Sequence, residues 1–256
     1  MTDPRLKAAW EHLRATSRRR FELEDPELLG HMRHLYARVL GRTRSVNWFH
    51  LGAMQAPSDY LMYVECFERT RPRVIVETGT AGGASARFFA EVLERIHGSR
   101  DFRVVTVERY PTPGMAEFLG GHPCVVSVIG DSADPVVAAE VAAVVPAGWP
   151  VAVTLDSDHS AEHVLAELSR YADFVSPGQH LIVQDTYLGL WWGGNLDGEQ
   201  QRAVLDGRGG DLRYDYHALP LGAVEAFLEV RPEFSVDLEA QRWLVTQHPY
   251  GWLQRA

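Results

Sequence analysis

RVIVETGTAGGASARFFAEVLERI, residues 73–96, is the stretch whose reading decides the fold. RVIVE (73–77) is a short β-branched run that ends on an acid, Glu77. The glycine-bearing turn TGTAGG follows, and ASARFFAEVLERI (84–96) then takes up helical spacing. A buried strand, a tight turn and an amphipathic helix make the first part of a βαβ unit. Similar strand-like runs recur at FRVVTVE (102–108), VVSVIGD (125–131), VAVTLD (151–156) and HLIVQD (180–185), with segments of helical character between them. Apolar runs alternating with helices argue for an α/β chain with a mostly parallel sheet covered on both faces.

These runs end repeatedly in Asp or Glu. In an open parallel sheet a ligand binds outside the carboxyl ends of the strands, where strand order reverses. The acids therefore mark where a site is expected. Glycines at 79, 82 and 83 allow close backbone approach to a ligand, and the helix start behind them offers free N–H groups. The spacing G-x-x-G-G departs from the dinucleotide fingerprint G-x-G-x-x-G. Taken alone, this loop reads equally well as a plain βα turn. Glu108, ending the next strand, is placed to accept from two ribose hydroxyls. Asp131, beside Ser132 at the end of the third, is placed to meet an adenine amino group. Three strand ends that suit one adenosine-containing ligand, with no pyrophosphate loop, favour S-adenosylmethionine (SAM) over a dinucleotide.

LDSDHS (155–160) crowds Asp156, Asp158 and His159 at a strand end. Two readings compete. Asp158 or Ser160 suits a helix N-cap, whereas Asp156, with Asp185 ending another strand, suits a cation ligand. His159 reads as a general base or as a structural, substrate-orienting residue. His163 reads as a helix-face residue.

Composition narrows the function. The net charge of −9 argues against a nucleic-acid binder, which needs a basic face. Lys7 is the only lysine. Cys66 and Cys124 lack metal or disulfide spacing and read as buried thiols. The first residues lack an apolar signal core, and no run is long enough to span a bilayer, so the expectation is a cytoplasmic protein with no membrane partner. Helices are expected over 3–20 and 26–40, a loop over the core at 41–57, a helix from Pro57 to about Thr70, and another at 221–231. The runs near FSVDLE (234–239) and RWLVTQ (242–247) read as an antiparallel hairpin closing the sheet edge. The Gly- and Trp-rich segment after Asp185 reads as a lid, with Trp191 and Trp192 either stacking on a sugar or base or packing the lid down.

TGTAGGASARFFA, LDSDHSAEHVLAEL and LIVQD, flanked by PSDYLMY (57–63) and PYGWLQR (249–255), resemble the cephalosporin-hydroxylase and rhamnosyl O-methyltransferase family. The resemblance runs from about Asn47 to Arg255. It implies a Rossmann-like class I methyltransferase fold, a mostly parallel seven-stranded sheet with a C-terminal antiparallel hairpin. It also implies SAM, a divalent cation such as Mg²⁺, and homo-oligomers. Residues 1–57 would then form a helical extension and loop, and 58–256 the methyltransferase domain.

Carried over by position, the cation ligands would be Asp156 and Asp185, with Gln184 where the family usually places another acid. The catalytic pair would be His159 as base and Asp156. The cofactor-binding set would be Glu77, Gly79, Thr80, Gly83, Ser85, Glu108, Asp131, Ser132, Asp156 and Asp158. The expected reaction is SAM-dependent O-methylation of a hydroxyl, the 3′-OH first, on a nucleotide-activated deoxysugar such as TDP-rhamnose in natural-product biosynthesis. Arg42, Arg44 and Arg208 are candidate partners for its diphosphate. The alternatives are methylation of a glycosylated product or a phenol, and a non-catalytic SAM-binding or assembly protein. Oxygenation is disfavoured, because no facial-triad partner for a redox metal is apparent.

Overall fold

The computed structural model describes residues 2–16, 46–48, 51–53, 55–188, 216–240 and 246–256. The expected helix at 26–40, both tryptophans of the lid and all three candidate diphosphate arginines lie outside the described residues.

The strands are β1 (Val46–Trp48), β2 (Leu51–Ala53), β3 (Val74–Thr78), β4 (Arg103–Glu108), β5 (Val125–Ile129), β6 (Val151–Leu155), β7 (His180–Val183), β8 (Phe234–Val236) and β9 (Trp252–Arg255). The helices are α1 (Pro4–Thr16), α2 (Pro57–Thr70), α3 (Ala84–His97), α4 (Met115–Gly120), α5 (Pro135–Val144), α6 (Ala161–Tyr171) and α7 (Pro220–Val230). The main sheet has seven strands in the order β5-β4-β3-β6-β7-β9-β8. Strands β5 to β7 run parallel, and β9 is antiparallel to both its neighbours.

The parallel strands behave as their composition requires. Every residue of β3, β6 and β7 is buried, because helices cover both faces and a parallel sheet leaves neither face to water. Strand order reverses around β3, which lies between β4 and β6. The crevice at the carboxyl ends of β4, β3 and β6 is therefore where ligand binding is expected. Glu108 ends β4, and Asp131, Asp156 and Asp185 follow β5, β6 and β7 at that same edge.

Helix α1 buries Leu6, Trp10 and Leu13 in the main core. It packs chiefly on α7, and the Trp10 indole N–H donates to the His217 carbonyl at 2.6 Å. Cys66 and Cys124 are free and buried, as expected. Among the described residues, no helix is long and apolar enough to cross a membrane.

One expectation is corrected and another is completed. The segment 41–57 contains an antiparallel pair, β1 with β2, matching Val46 to Ala53 and Trp48 to Leu51. Three-residue strands are too short to show a period, so the sequence reads as loop. Most of RWLVTQ, the expected partner of β8, lies outside the described residues, and among those described β8 pairs with the C-terminal Trp252–Arg255. That short run gains a ladder on both sides, from β7 and from β8. Pairing on two edges stabilises a strand whose own sequence carries little signal.

Candidate active site

The turn after β3 sets the floor of the site. Gly79 has φ +83°, and a Cβ there would lie 1.8 Å from the carbonyl oxygen of Asp156. The turn thus rests directly on the end of β6. The Asp156 N–H returns a bond to the Thr78 carbonyl at 3.0 Å. A glycine at this position and an acid at the end of β6 belong to one structural unit.

Above this floor opens a cavity of about 450 Å³. Gly79, Glu108, Asp131, Ser132, Asp156, Asp158, His159, Gln184 and Asp185 all line it. Glu108 accepts the N–H of Ala81 through one oxygen and that of Tyr110 through the other, both at 2.7 Å. It ties the glycine turn to the end of β4. Asp131 accepts the Ala133 N–H at 2.9 Å and pairs with Arg109 at 3.1 Å. The Arg109 guanidinium lies over the ring of Tyr110.

Glu77, Thr80, Gly83 and Ser85 do not line the cavity. Thr80 donates to Thr106, and Thr106 donates to the fully buried Glu77. Ser85 also bonds Glu77, whose carboxyl is pushed up to about 7 by burial. Gly83 stands at the start of α3, against Leu119. These four residues shape the turn from behind.

The chemistry-bearing cluster sits at the ends of β6 and β7. Nε2 of His159 is 3.5 Å from Asp156 Oδ1 and 3.3 Å from Asp185 Oδ2. One ligand atom from each of the three residues lies within 4.8 Å of the others. Burial pushes the His159 imidazole down, but the two carboxylates outweigh it and hold it up at about 9. Burial, and then the neighbouring Asp156, pushes Asp185 up to about 7. Burial likewise raises Asp156. Two acids that would repel one another are held together around one imidazolium.

The capping alternative holds for Ser160. Its hydroxyl accepts from His163 N–H and caps α6. Asp158 accepts the N–H of Ser160 at 2.8 Å, and the hydrogen bond to Ser160 lowers its carboxyl. Gln184 lines the cavity, and its amide is braced by two hydrogen bonds. Its oxygen accepts from Gln55 at 2.5 Å and its nitrogen donates to Thr154 at 2.8 Å.

Sequence reasoning missed several lining residues. Gln55, which precedes α2, also bonds Asp156, and nothing in its aperiodic surroundings marks it. His163, read as a helix-face residue, lines the cavity and meets Ser132 Oγ at 3.2 Å. The signal was its spacing from Glu167, one turn along α6 and fully buried. Glu167 accepts from Ser157 at 2.6 Å and holds the His163 imidazole up.

A parallel sheet reversing at β3, an antiparallel β9 inserted beside β7, and acids at successive strand ends around one cavity define a class I SAM-dependent methyltransferase. The model of the rhamnosyl O-methyltransferase/CmcI family matches residues 41–256, and the chain belongs to that family. It is a SAM-dependent O-methyltransferase. The rhamnosyl O-methyltransferase of Mycobacterium tuberculosis is 29% identical over 211 residues, covering 80% of this chain and 76% of that protein. Two solved structures of CmcI share the fold. One, with Mg and SAM, has a TM-score of 0.54 at 16% identity, and the other, an apo structure, 0.57 at 18%. Each covers 82% of this chain and 76% of the CmcI chain.

Proposed function

We propose that the enzyme transfers the methyl group of SAM to a deoxysugar hydroxyl, the 3′-OH of a nucleotide-activated sugar such as TDP-rhamnose in natural-product biosynthesis. The observation that carries this reading is the Asp156–His159–Asp185 cluster, opening into the same cavity as Glu108 and Asp131. Glu108 and Asp131 lie on the β4–β5 side of the reversal and suit the adenosine. The cluster lies on the β6–β7 side and suits the acceptor.

The cluster also fits a divalent cation. It offers hard carboxylate oxygens, close enough together to share one ion, as Mg²⁺ requires. The protein's charged ligands would be Asp156 and Asp185. Gln184, whose amide is braced by Gln55 and Thr154, would offer the second lone pair of its oxygen as a third, neutral ligand. A cation held there would stabilise a developing alkoxide and take over the two carboxylates that otherwise hold the His159 proton.

The remaining work falls to the chain itself. A sugar hydroxyl is a poor nucleophile while protonated. A neutral His159 at the cavity wall can take that proton. The turn at Gly79 and the carboxylate of Glu108 fix the donor, so that the methyl group and the acceptor oxygen meet in line. The mycobacterial relative is named for a rhamnosyl group, and that name favours a second reading in which the rhamnose is already attached to a larger product. Assembly as a homo-oligomer, with residues 1–57 as an extension to a methyltransferase domain at 58–256, completes the proposal.

The test uses SAM with an isotope-labelled methyl group and a panel of TDP-deoxysugars, with Mg²⁺ and with excess chelator. Labelled O-methyl on a nucleotide sugar, abolished by chelation, is the expected result. Transfer only to rhamnosylated products would favour the second reading. Transfer that survives chelation would remove the cation from the mechanism. SAM binding without transfer to any sugar or phenol would leave a non-catalytic protein.

A further inference from the structure

His248 does not line the cavity, yet it is completely buried directly behind one of the two acids. Its Nδ1 accepts the backbone N–H of Asp185 at 3.0 Å. Asp185 needs such a partner. Its φ is +53°, in the left-handed region that a residue bearing a Cβ rarely adopts. A backbone in that conformation persists only where its surroundings hold it there. The turn also takes the Asp185 N–H off the end of β7, where a buried donor must find another acceptor.

The rest of the same segment follows the chain around Asp185. The Val183 N–H donates to the Gly251 carbonyl at 2.8 Å, and Tyr187 N–H to the Gln247 carbonyl at 3.2 Å. The Thr186 hydroxyl donates to the Pro249 carbonyl at 2.6 Å. A Cβ on Gly251 would lie 2.1 Å from the Val183 carbonyl oxygen, so only glycine permits this approach. Residues 247–251 thus cradle residues 183–187. Within the cradle, the bond from Asp185 fixes the imidazole chemistry. An N–H aimed at Nδ1 requires a lone pair there, so the neutral ring carries its proton on Nε2.

We propose that His248 is a positioning residue, whose Nδ1 holds the Asp185 backbone in the left-handed turn that brings its carboxylate to His159 and the cation. The proposal rests on the reading of Asp185 as a cation ligand. Partners behind a metal ligand orient it, and their loss typically weakens metal binding by about tenfold to a hundredfold.

The experiment compares the full-length protein with His248→Leu and His248→Asn. Leucine removes the acceptor, whereas the asparagine Oδ1 falls near the place of Nδ1 and keeps it. Mn²⁺ alone is the probe, titrated by electron paramagnetic resonance. SAM binding is followed by calorimetry, and thermal melts report folding. The expected result is Mn²⁺ affinity lowered by roughly tenfold or more in His248→Leu, largely recovered in His248→Asn, with SAM affinity unchanged throughout. A folded His248→Leu that binds Mn²⁺ like the wild type would overturn the proposal, as would an Asn variant as weak as the Leu variant. Wild-type protein that binds no Mn²⁺ would fell the cation reading itself, a distinct failure. Should His248→Leu not fold, imidazole nitrogen-15 spectra of the wild type decide. A proton on Nε2, with Nδ1 an acceptor, supports the role, and a proton on Nδ1 ends it.

Discussion

Nε2 of His159 lies 3.3 Å from Oδ2 of Asp185, although the two residues follow different strands of the sheet. The neighbouring β6 and β7 run parallel in register, so their carboxyl ends coincide and the side chains beyond them converge. With Asp156 Oδ1 3.5 Å from the same nitrogen, the imidazole is held as a cation. It can act as a base only when something else balances the two acids.

His159→Ala tests that role. Loss of a general base typically costs a factor of roughly a hundred to ten thousand in rate. Methyl transfer should fall by that much while SAM affinity, measured by calorimetry, stays as in the wild type. A rate within a fewfold of wild type would show that His159 only orients the substrate.

Glu108→Ala should act on the donor side alone. Glu108 closes the glycine turn through Ala81 and Tyr110 and is the proposed ribose partner. Hydrogen bonds to a charged group contribute about 1.5–3 kcal/mol, so the dissociation constant for SAM should rise by roughly tenfold to a hundredfold. Mn²⁺ binding should not change. If calorimetry gave the wild-type SAM affinity, the assignment of Glu108 to the cofactor would be wrong.

Gly79→Ala should damage both halves of the site at once. The added Cβ would meet the Asp156 carbonyl, and φ +83° is unfavourable for alanine. Strain of this kind costs on the order of 1–3 kcal/mol, and relief requires the turn to move off β6. A lower melting temperature, weaker SAM binding and weaker Mn²⁺ binding should appear together. Loss of SAM binding with Mn²⁺ binding and stability intact would mean that the turn is independent of Asp156.

The parts of this enzyme legible in its sequence are those written as continuous local patterns. The strands at 74–78, 103–108, 125–129, 151–155 and 180–183 stood out because buried parallel strands need uninterrupted apolar runs. Asp156, His159 and Asp185 stood out because they end such runs, and the structure gathers them. What stayed hidden depends on partners far along the chain. Trp252–Arg255 is a strand only because β7 and β8 flank it. Gln55 meets the site through Gln184 and Asp156, and His248 through Asp185, and one side chain in an aperiodic stretch leaves no period to read. Glu77 at the end of β3, Thr80 in the turn and Ser85 at the start of α3 flank the right loop, but their side chains are taken up behind it, in the bonds that join Thr80 to Thr106 and both Thr106 and Ser85 to Glu77.

Asp59 carries a prediction for stability and pH. It is fully buried at the start of α2, accepts the Gln247 N–H at 3.0 Å, and helps anchor the segment that contains His248. Burial pushes its carboxyl from the ordinary 3.8 up to about 7. The folded state therefore keeps the proton over a range in which the unfolded chain has released it. Stability changes with pH as the unfolded minus the folded number of bound protons, and for Asp59 that difference is negative between about pH 4 and pH 7. Its contribution must fall as pH rises through this window and stay low above it. Asparagine accepts the same N–H and does not ionise. Asp59→Asn should match the wild type near pH 4 and exceed it near pH 8 by about 4 kcal/mol, the free-energy equivalent of the shift between the two states. Urea unfolding of both proteins across that range measures the difference directly. A gap between them that does not change with pH would mean that Asp59 is ionised in the folded protein, held by Thr246 and Gln247 against the cost of its burial.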